Sequence, residues 1–137
     1  MPRAVLDTTV LVSALISAGG PSAALLLELR AGAFELVASP TLLAELREVL
    51  GREKFRRYVA EAEAIAYVDL IRHEATVLDD PAPSVQPVSA DPDDEYQVDL
   101  ARAAAADALV SGDAHLLDLR ERLPVLTPAQ FLATLGD

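Results

Sequence analysis

The chain has 137 residues, enough for one domain that buries about two-thirds of the surface its unfolded chain exposes. It contains no cysteine, which excludes disulfide bonds and thiolate metal sites and agrees with a reducing compartment. A net charge of −11 argues against a polyanionic partner, because proteins that bind nucleic acids usually carry a basic surface. From the length of the chain, we expect a single domain over residues 1–137.

The amino-terminal stretch predicts a strand followed by a helix. Residues 4–6 are an apolar run typical of a buried strand, and Val10, Ala14 and Leu15 recur at helical spacing. Asp7 falls at the turn between the two elements. Ligands bind at the carboxyl ends of the strands in open α/β sheets, so Asp7 is a candidate functional residue. Its alternative role is the N-cap of the helix.

Residues 8–27 carry no charge and resemble a membrane span or a secretory leader. Asp7 directly precedes them, serines recur among them, and the break at Gly19, Gly20 and Pro21 interrupts them. We therefore expect two core helices joined by a turn, in a soluble cytoplasmic protein without a membrane segment.

A third helix is predicted after residue 39, with Ser39 as its cap and Pro40 at its first position. Apolar residues between positions 42 and 50 form one stripe along this helix. Glu45 lies on the flank of the stripe, while Glu48 lies on the opposite, solvent-facing side.

The other elements alternate between strand and helix. In chain order we first predict a helix opened by Pro21, a strand at 34–39, a helix at 61–75 carried by Ile65, Val68, Leu70 and Ile71, and a strand at 76–78. An exposed extended connection at 79–92 then leads to an alanine-rich helix at 96–106, capped by Asp93 or Asp94, and a strand at 108–111. The last predicted elements are a short helix around Leu116, Leu117 and Leu119, an edge strand at 125–126 and a helix at 128–135. This alternation implies a mainly parallel sheet covered on both faces.

Four acids occupy similar places in this pattern. Asp113 follows a buried strand as Asp7 does, Asp94 starts the helix leading into that strand, and Glu45 borders a core stripe. If they converge, neighbouring carboxylates repel by about 4 kcal/mol at 4 Å, so the cluster needs a cation or raised pKa values. Oxygen ligands without Cys or His suit Mg²⁺ or Mn²⁺, which indicates chemistry on phosphates.

Each of these acids also has a structural alternative as a cap, a turn former or a surface residue. A second group of acids is predicted to cap helices or to lie in solvent, namely Asp91, Asp93, Glu95 and Asp107. His73, between Arg72 and Glu74, is predicted to be a surface residue.

Five of the 11 basic residues fall in one short stretch, namely Arg47, Arg52, Lys54, Arg56 and Arg57. They form either a solvated face balanced by Glu48 and Glu53, or a surface that follows a nucleic-acid backbone.

Four motifs in order resemble a PIN domain of the VapC-like group of toxin–antitoxin systems. They are Val-Leu-Asp-Thr-Thr-Val-Leu-Val-Ser-Ala-Leu at 5–15, Ser-Pro-Thr-Leu-Leu-Ala-Glu-Leu at 39–46, Asp-Pro-Asp-Asp-Glu at 91–95 and Ala-Asp-Ala-Leu-Val-Ser-Gly-Asp at 106–113. The resemblance covers nearly the whole chain. Thr9 is a departure, because the family usually has Asn there; threonine keeps a hydroxyl hydrogen bond but not the reach of the amide.

The resemblance implies a three-layer α/β/α sandwich with a mainly parallel central sheet. It also implies a ribonuclease that uses Mg²⁺ or Mn²⁺ and hydrolyses RNA phosphodiester bonds as the toxin of a toxin–antitoxin pair. A cognate antitoxin protein and a homodimer are the expected partners. The catalytic and metal-binding residues are Asp7, Glu45, Asp94 and Asp113, the supporting residues are Thr8, Thr9 and Ser111, and the RNA-binding residues are Arg52, Lys54, Arg56 and Arg57.

Three alternatives stay open. A haloacid dehalogenase-type phosphatase needs a second acid where Thr9 stands. A phospho-receiver domain needs a lysine after a late strand, whereas the only lysine is Lys54. A PIN-like module that binds RNA or a protein without turnover is favoured by Thr9 alone.

Overall fold

A computed structural model describes residues 1–82, 92–117 and 124–136, with only the backbone described for 92–94, 114 and 115. Five strands are described: β1 (Arg3–Leu6), β2 (Glu35–Ala38), β3 (Thr76–Val77), β4 (Ala108–Val110) and β5 (Val125–Leu126). The helices are α1 (Thr8–Ile16), α2 (Pro21–Arg30), α3 (Pro40–Leu50), a 3₁₀ helix (Glu53–Phe55), α4 (Glu61–Glu74), α5 (Pro92–Ala103), α6 (Ala114–Leu117) and α7 (Pro128–Leu135). The predicted alternation of strands and helices is confirmed.

The strands form one parallel sheet in the order β3-β2-β1-β4-β5. From β1 the chain moves outward through β2 to β3, then returns to the other side of β1 and continues through β4 to β5. Because such crossovers are right-handed, the two directions place their helices on opposite faces of the sheet. The fold is the predicted α/β/α sandwich, and its strand order reverses between β1 and β4.

The core consists mainly of Leu, Val, Ile and Ala side chains, with few aromatic residues. Phe34, just before β2, and Phe131 in α7 are both buried, and their rings meet edge to face with centroids 5.1 Å apart. Tyr67 in α4 is also buried, and its hydroxyl donates to the Leu11 carbonyl oxygen at 2.6 Å. These contacts attach α7 and α4 to the central layers.

Local signals set the starts of α3 and α7 where they were expected. Ser39 Oγ accepts a hydrogen bond from the Leu42 backbone N–H at 3.3 Å, and Pro40 is the first residue of α3. Thr127 and Gln130 form a reciprocal capping box at the start of α7. The predicted Ser39 cap is therefore confirmed.

Three details of the sequence prediction are wrong. Helix α5 begins at Pro92 and ends at Ala103, so Asp93 and Asp94 lie in its first turn and do not cap it. In α4, Ile65 is 39% exposed and Tyr67 takes the expected core position. Glu95 is buried rather than solvated, because it lies within α5 on a face that packs against the rest of the chain. Within the predicted connection 79–92, residues 83–91 lie outside the described residues, as does Leu119 of the predicted short helix.

No single helix in the described part of the chain is long and apolar enough to cross a membrane. Helices α1 and α2 meet the length and composition criteria only as a pair, and they are bent by 94° at the break between them.

Asp80, after β3, joins the two helices that carry Glu45 and Asp94. Its Oδ1 accepts hydrogen bonds from the Thr41 backbone N–H at 3.0 Å, in the first turn of α3, and from the Tyr96 hydroxyl at 3.1 Å, in α5. The Thr41 N–H is the main cause of a lowered pKa for the Asp80 carboxyl, and nearby hydroxyl groups add to it. Partial burial, and then Asp80 itself, raise the pKa of Tyr96.

We expect Asp80 to stabilise the fold in a pH-dependent way. Because its folded-state pKa lies below the ordinary value of 3.8, its contribution is complete above that value and is lost as the pH falls through the lowered pKa. Urea unfolding of Asp80→Ala should show a loss of stability at neutral pH that shrinks in acid. Asp79→Ala, an exposed neighbour, is the control. An equal loss at both pH values would contradict this role.

We expect Phe131→Ala to lower the free energy of unfolding by about 3–5 kcal/mol, because it removes a buried ring and leaves a cavity against Phe34. Leu27→Ala, at a position that is 68% exposed, should change it by less than about 0.5 kcal/mol. Denaturant unfolding measures both variants, and similar losses in the two would show that the ring contact is unimportant.

Candidate active site at the carboxyl ends of β1 and β4

Asp7 and Ser111 lie side by side at the point where the strand order reverses. Leu6 pairs with Val110 in the parallel register, and the Asp7 backbone N–H donates to the Val110 carbonyl oxygen at 2.9 Å. Each of the two residues directly follows its strand. This reversal point is where doubly wound sheets form their ligand crevice.

The Asp7 carboxylate is 4% exposed and accepts four hydrogen bonds. Oδ1 accepts from the Thr9 backbone N–H at 3.4 Å and from Gln97 Nε2 at 3.0 Å. Oδ2 accepts from the hydroxyls of Thr9 at 3.0 Å and Ser111 at 2.7 Å. Asp7 is also the N-cap of α1, so the structural role foreseen for it and its place in the site coexist.

Ser111 connects two of the predicted acids. Its hydroxyl donates to Asp7 Oδ2, and its oxygen accepts the Asp113 backbone N–H at 2.9 Å. The buried serine therefore fixes the turn that carries Asp113 relative to the carboxylate of Asp7.

A cavity of about 430 Å³ opens beside Asp7, and we call it the main cavity. Three of the four predicted acids line it, namely Asp7, Glu45 and Asp113. Glu45 reaches it from the flank of α3, whereas Glu48 on the same helix is exposed, as predicted. Apolar side chains also line this cavity, namely Val12, Ile16, Val49 and Phe55.

Asp94 lies in the first turn of α5, and its side chain is outside the described residues. Gln97, three residues later in the same helix, lines the main cavity. Residues three apart share one face of a helix, so the backbone places Asp94 on the face of α5 that carries Gln97.

Two buried oxygens beside Asp7 bear on metal binding. Within the described residues, neither Thr8 Oγ1 nor Gln97 Oε1 has a hydrogen-bond partner. No three His, Asp or Glu side chains in that same part of the chain are arranged to hold one metal ion. Mg²⁺ usually binds through one or two carboxylates together with water, so an oxygen-only set of carboxylates and orphaned oxygens fits a hydrated ion of this kind.

The predicted basic residues separate into different environments. Arg52 and Lys54 line the main cavity, and Arg52 also pairs with exposed Glu48 at 3.5 Å. Arg56 donates to the Gly51 carbonyl oxygen at 3.2 Å, at the end of α3. Arg57 is not among the residues that line this cavity.

Gln97 and Phe55 were missed by the sequence prediction. Gln97 had a usable signal, because it lies one helical turn after Asp94 in an otherwise alanine-rich helix. Phe55 had no such signal, since a single aromatic residue beside cations is equally typical of a packed turn.

A family model described as a PIN domain matches residues 3–115, a range that contains all four predicted acids. The chain therefore belongs to the PIN domain family. PIN domains are generally nucleases that use divalent metal ions. Among proteins of curated function, no sequence matches this chain.

Solved structures of low sequence identity share the fold. The chain is similar to a chain in the crystal structure of VapBC2 from Rickettsia felis, which is bound to a DNA fragment from the VapBC2 promoter. The TM-score is 0.62 and the sequence identity is 18%, and the match covers 90% of this chain and 96% of that one. It is also similar to PAE2754 from Pyrobaculum aerophilum, with a TM-score of 0.63, 16% identity and coverage of 99% and 90%.

We expect Ser111→Ala to lower the free energy of unfolding by about 1–3 kcal/mol, because buried Asp7 and the Asp113 N–H each lose a partner. Ser13→Ala, at another serine that lines the main cavity, should change it by less than about 0.5 kcal/mol. Urea denaturation without added metal measures both. If the two variants lost equal stability, Ser111 would not be the link between the acids.

Proposed function

We propose that this protein is a metal-dependent endoribonuclease that hydrolyses RNA phosphodiester bonds. The observation that carries this proposal is the convergence of three carboxylates, from β1, α3 and the turn after β4, on one cavity at the reversal point of the sheet. Membership of the PIN domain family supports it, since the members are generally nucleases.

We assign metal binding and catalysis to Asp7, Glu45, Asp94 and Asp113, with Mg²⁺ or Mn²⁺ as the ion. The chemistry that such an ion supplies is activation of water for attack on phosphorus and neutralisation of the charge that develops on the phosphate. The oxygen-only donor set agrees with this choice of ions.

The surrounding residues orient the acids. Thr9, Ser111 and Gln97 donate to both oxygens of Asp7 and so fix the plane of its carboxylate. The Thr9 hydroxyl makes one of these contacts, so threonine orients the acid at the position where the family usually has asparagine. Together these donors keep a buried charge at one position, as a preorganised site requires.

Arg52 and Lys54 provide positive charge on the same cavity. A phosphodiester bound in this cavity would have part of its negative charge neutralised by Arg52 and Lys54. The acids would need to hold a cation at the same time, because bare carboxylates repel a phosphate. This arrangement reconciles a net charge of −11 with a polyanionic substrate, because attraction depends on the local rather than the total charge.

We also propose that a cognate antitoxin inhibits the protein in the cytoplasm, and that the protein forms a homodimer. The structural likeness to VapBC2 supports a partner of this kind. An acidic cavity attracts Arg or Lys side chains from such a partner. Coexpression with the product of the neighbouring gene, followed by gentle purification, tests the pairing; recovery of this chain by itself would count against it.

We expect cleavage of an RNA panel, including transfer RNA and a structureless oligomer, with Mg²⁺ or Mn²⁺ and none with chelator. Glu45→Gln should abolish cleavage, while Glu48→Gln should retain it. Both variants remove one charge from α3, but only Glu45 lines the main cavity. Gel analysis of the RNA products measures the outcome.

Mn²⁺ titration by calorimetry gives a second measurement that does not depend on turnover. Asp7→Asn should weaken Mn²⁺ binding at least about tenfold. Metal binding without cleavage would favour a PIN-like module that binds RNA or a protein partner. If no metal bound, the assignment of the four acids would be wrong.

A further inference from the structure

The stretch after α3 forms an ordered surface element, which we call the 52–58 segment. It contains the 3₁₀ helix Glu53–Phe55 and a following turn closed by the Tyr58 N–H, which donates to the Phe55 carbonyl oxygen at 2.9 Å. The next residue, Val59, is buried and attaches the segment to the core. The side chains of the segment are thus presented from a fixed backbone.

The segment exposes an aromatic ring in a chain that has few. Of the six Phe and Tyr residues, Phe34, Phe131 and Tyr67 are buried, while Tyr96 is partly buried and donates to Asp80. Phe55 lines the main cavity, whereas Tyr58 is 59% exposed. A single exposed ring is common on protein surfaces, so its meaning depends on its surroundings.

Tyr58 borders a second concavity of about 520 Å³, which we call the outer cavity. The other residues that line it are Glu53, Lys54 and Arg57. Lys54 lines both cavities, so the outer cavity adjoins the candidate active site. The Lys54 ammonium lies 5.1 Å from the centre of the Phe55 ring, at the junction between the two.

The cationic side chains of the segment differ in whether they already have a partner within the protein. Arg52 pairs with Glu48, and Arg56 donates to the Gly51 carbonyl oxygen. Within the described residues, neither Lys54 nor Arg57 forms an ion pair. With Glu53, the outer cavity has a net charge of +1 on a protein of net charge −11, which marks it as a local site for an anion.

We propose that the outer cavity binds single-stranded RNA next to the cleaved bond, with a base stacked on Tyr58 and phosphates held by Lys54 and Arg57. Cations that follow the backbone, together with aromatic rings that stack on bases, are how proteins bind single strands. A duplex hides the faces of its bases, so the ring adds nothing to duplex binding. The proposal rests on the proposed ribonuclease function and assigns the residues of this chain that bind the strand beside the cleaved bond.

The chain has no tryptophan, so Tyr58→Trp introduces a single fluorescent reporter. Combined with Asp7→Asn and measured in EDTA, this variant reports binding without metal or cleavage. A single-stranded RNA octamer should quench its fluorescence with saturation. A tryptophan at exposed Leu27 in α2, which lines neither cavity, should not respond. Quenching of both reporters, or of neither, would overturn the proposal.

Two matched pairs of variants test the contacts. Tyr58→Ala should weaken binding of the octamer about tenfold, whereas Tyr58→Phe should keep it, because stacking needs the ring and not the hydroxyl. Arg57→Gln should reduce the slope of log affinity against log salt concentration by about 1, the value expected for the loss of one phosphate contact. Arg56→Gln should leave this slope unchanged. Unchanged affinity for Tyr58→Ala would overturn the proposal.

Two competitors distinguish the ligand classes. The same RNA in duplex form and a polyglutamate peptide should each compete at least about tenfold less well than the single strand. Equal competition by polyglutamate would show an acidic-protein surface and overturn the proposal. These assays need neither metal nor turnover, so a failed cleavage test leaves them interpretable. If RNA is still cleaved but Tyr58→Ala binds the octamer as well as the unaltered chain does, this proposal is wrong and the proposed ribonuclease function stands.

Discussion

The buried carboxylate of Asp7 is the constraint on which the rest of the structure depends. A charge removed from water is costly unless hydrogen-bond donors surround it. Its donors come from α1, α5 and the residue after β4, which are separated along the chain but meet at the centre of the sheet. The site is therefore assembled in the same step that folds this edge of the sheet, when α5 packs against it and β1 pairs with β4.

The local charges at this edge matter to the proposed function, because an acidic protein needs positive charge near its site to act on a polyanion. Three carboxylates line the main cavity, and the segment after α3 adds the cations Arg52 and Lys54 to the same lining. Hydrogen bonds within the protein use some of those cations, as Arg56 shows by bonding the end of α3. In the proposal made above, Lys54 and Arg57, which form no ion pair within the described residues, hold the strand beside the site.

Much of the fold is predictable because its determinants are local. The apolar run before Asp7 and the Ser39-Pro40 signal each give the right element, and the strand–helix alternation gives the parallel sheet. The start of α5 was misjudged because the acids at 93 and 94 are as suitable for the first turn of a helix as for its cap. Glu95 was predicted to be solvated because the predicted helix began after it; inside α5 it is buried, and packing rather than a local pattern decides which face is buried.

The sequence alone determined the four acids as candidates and the oxygen ligands they offer, because residue type and position after a strand are properties of the chain. Only the tertiary structure decided which residues hold Asp7 and where each cation goes. Gln97 reaches Asp7 across ninety positions, and adjacent Arg56 and Arg57 lie in different environments. Such contacts depend on helix rotation and sheet order, which are set by packing between distant segments rather than by any local pattern.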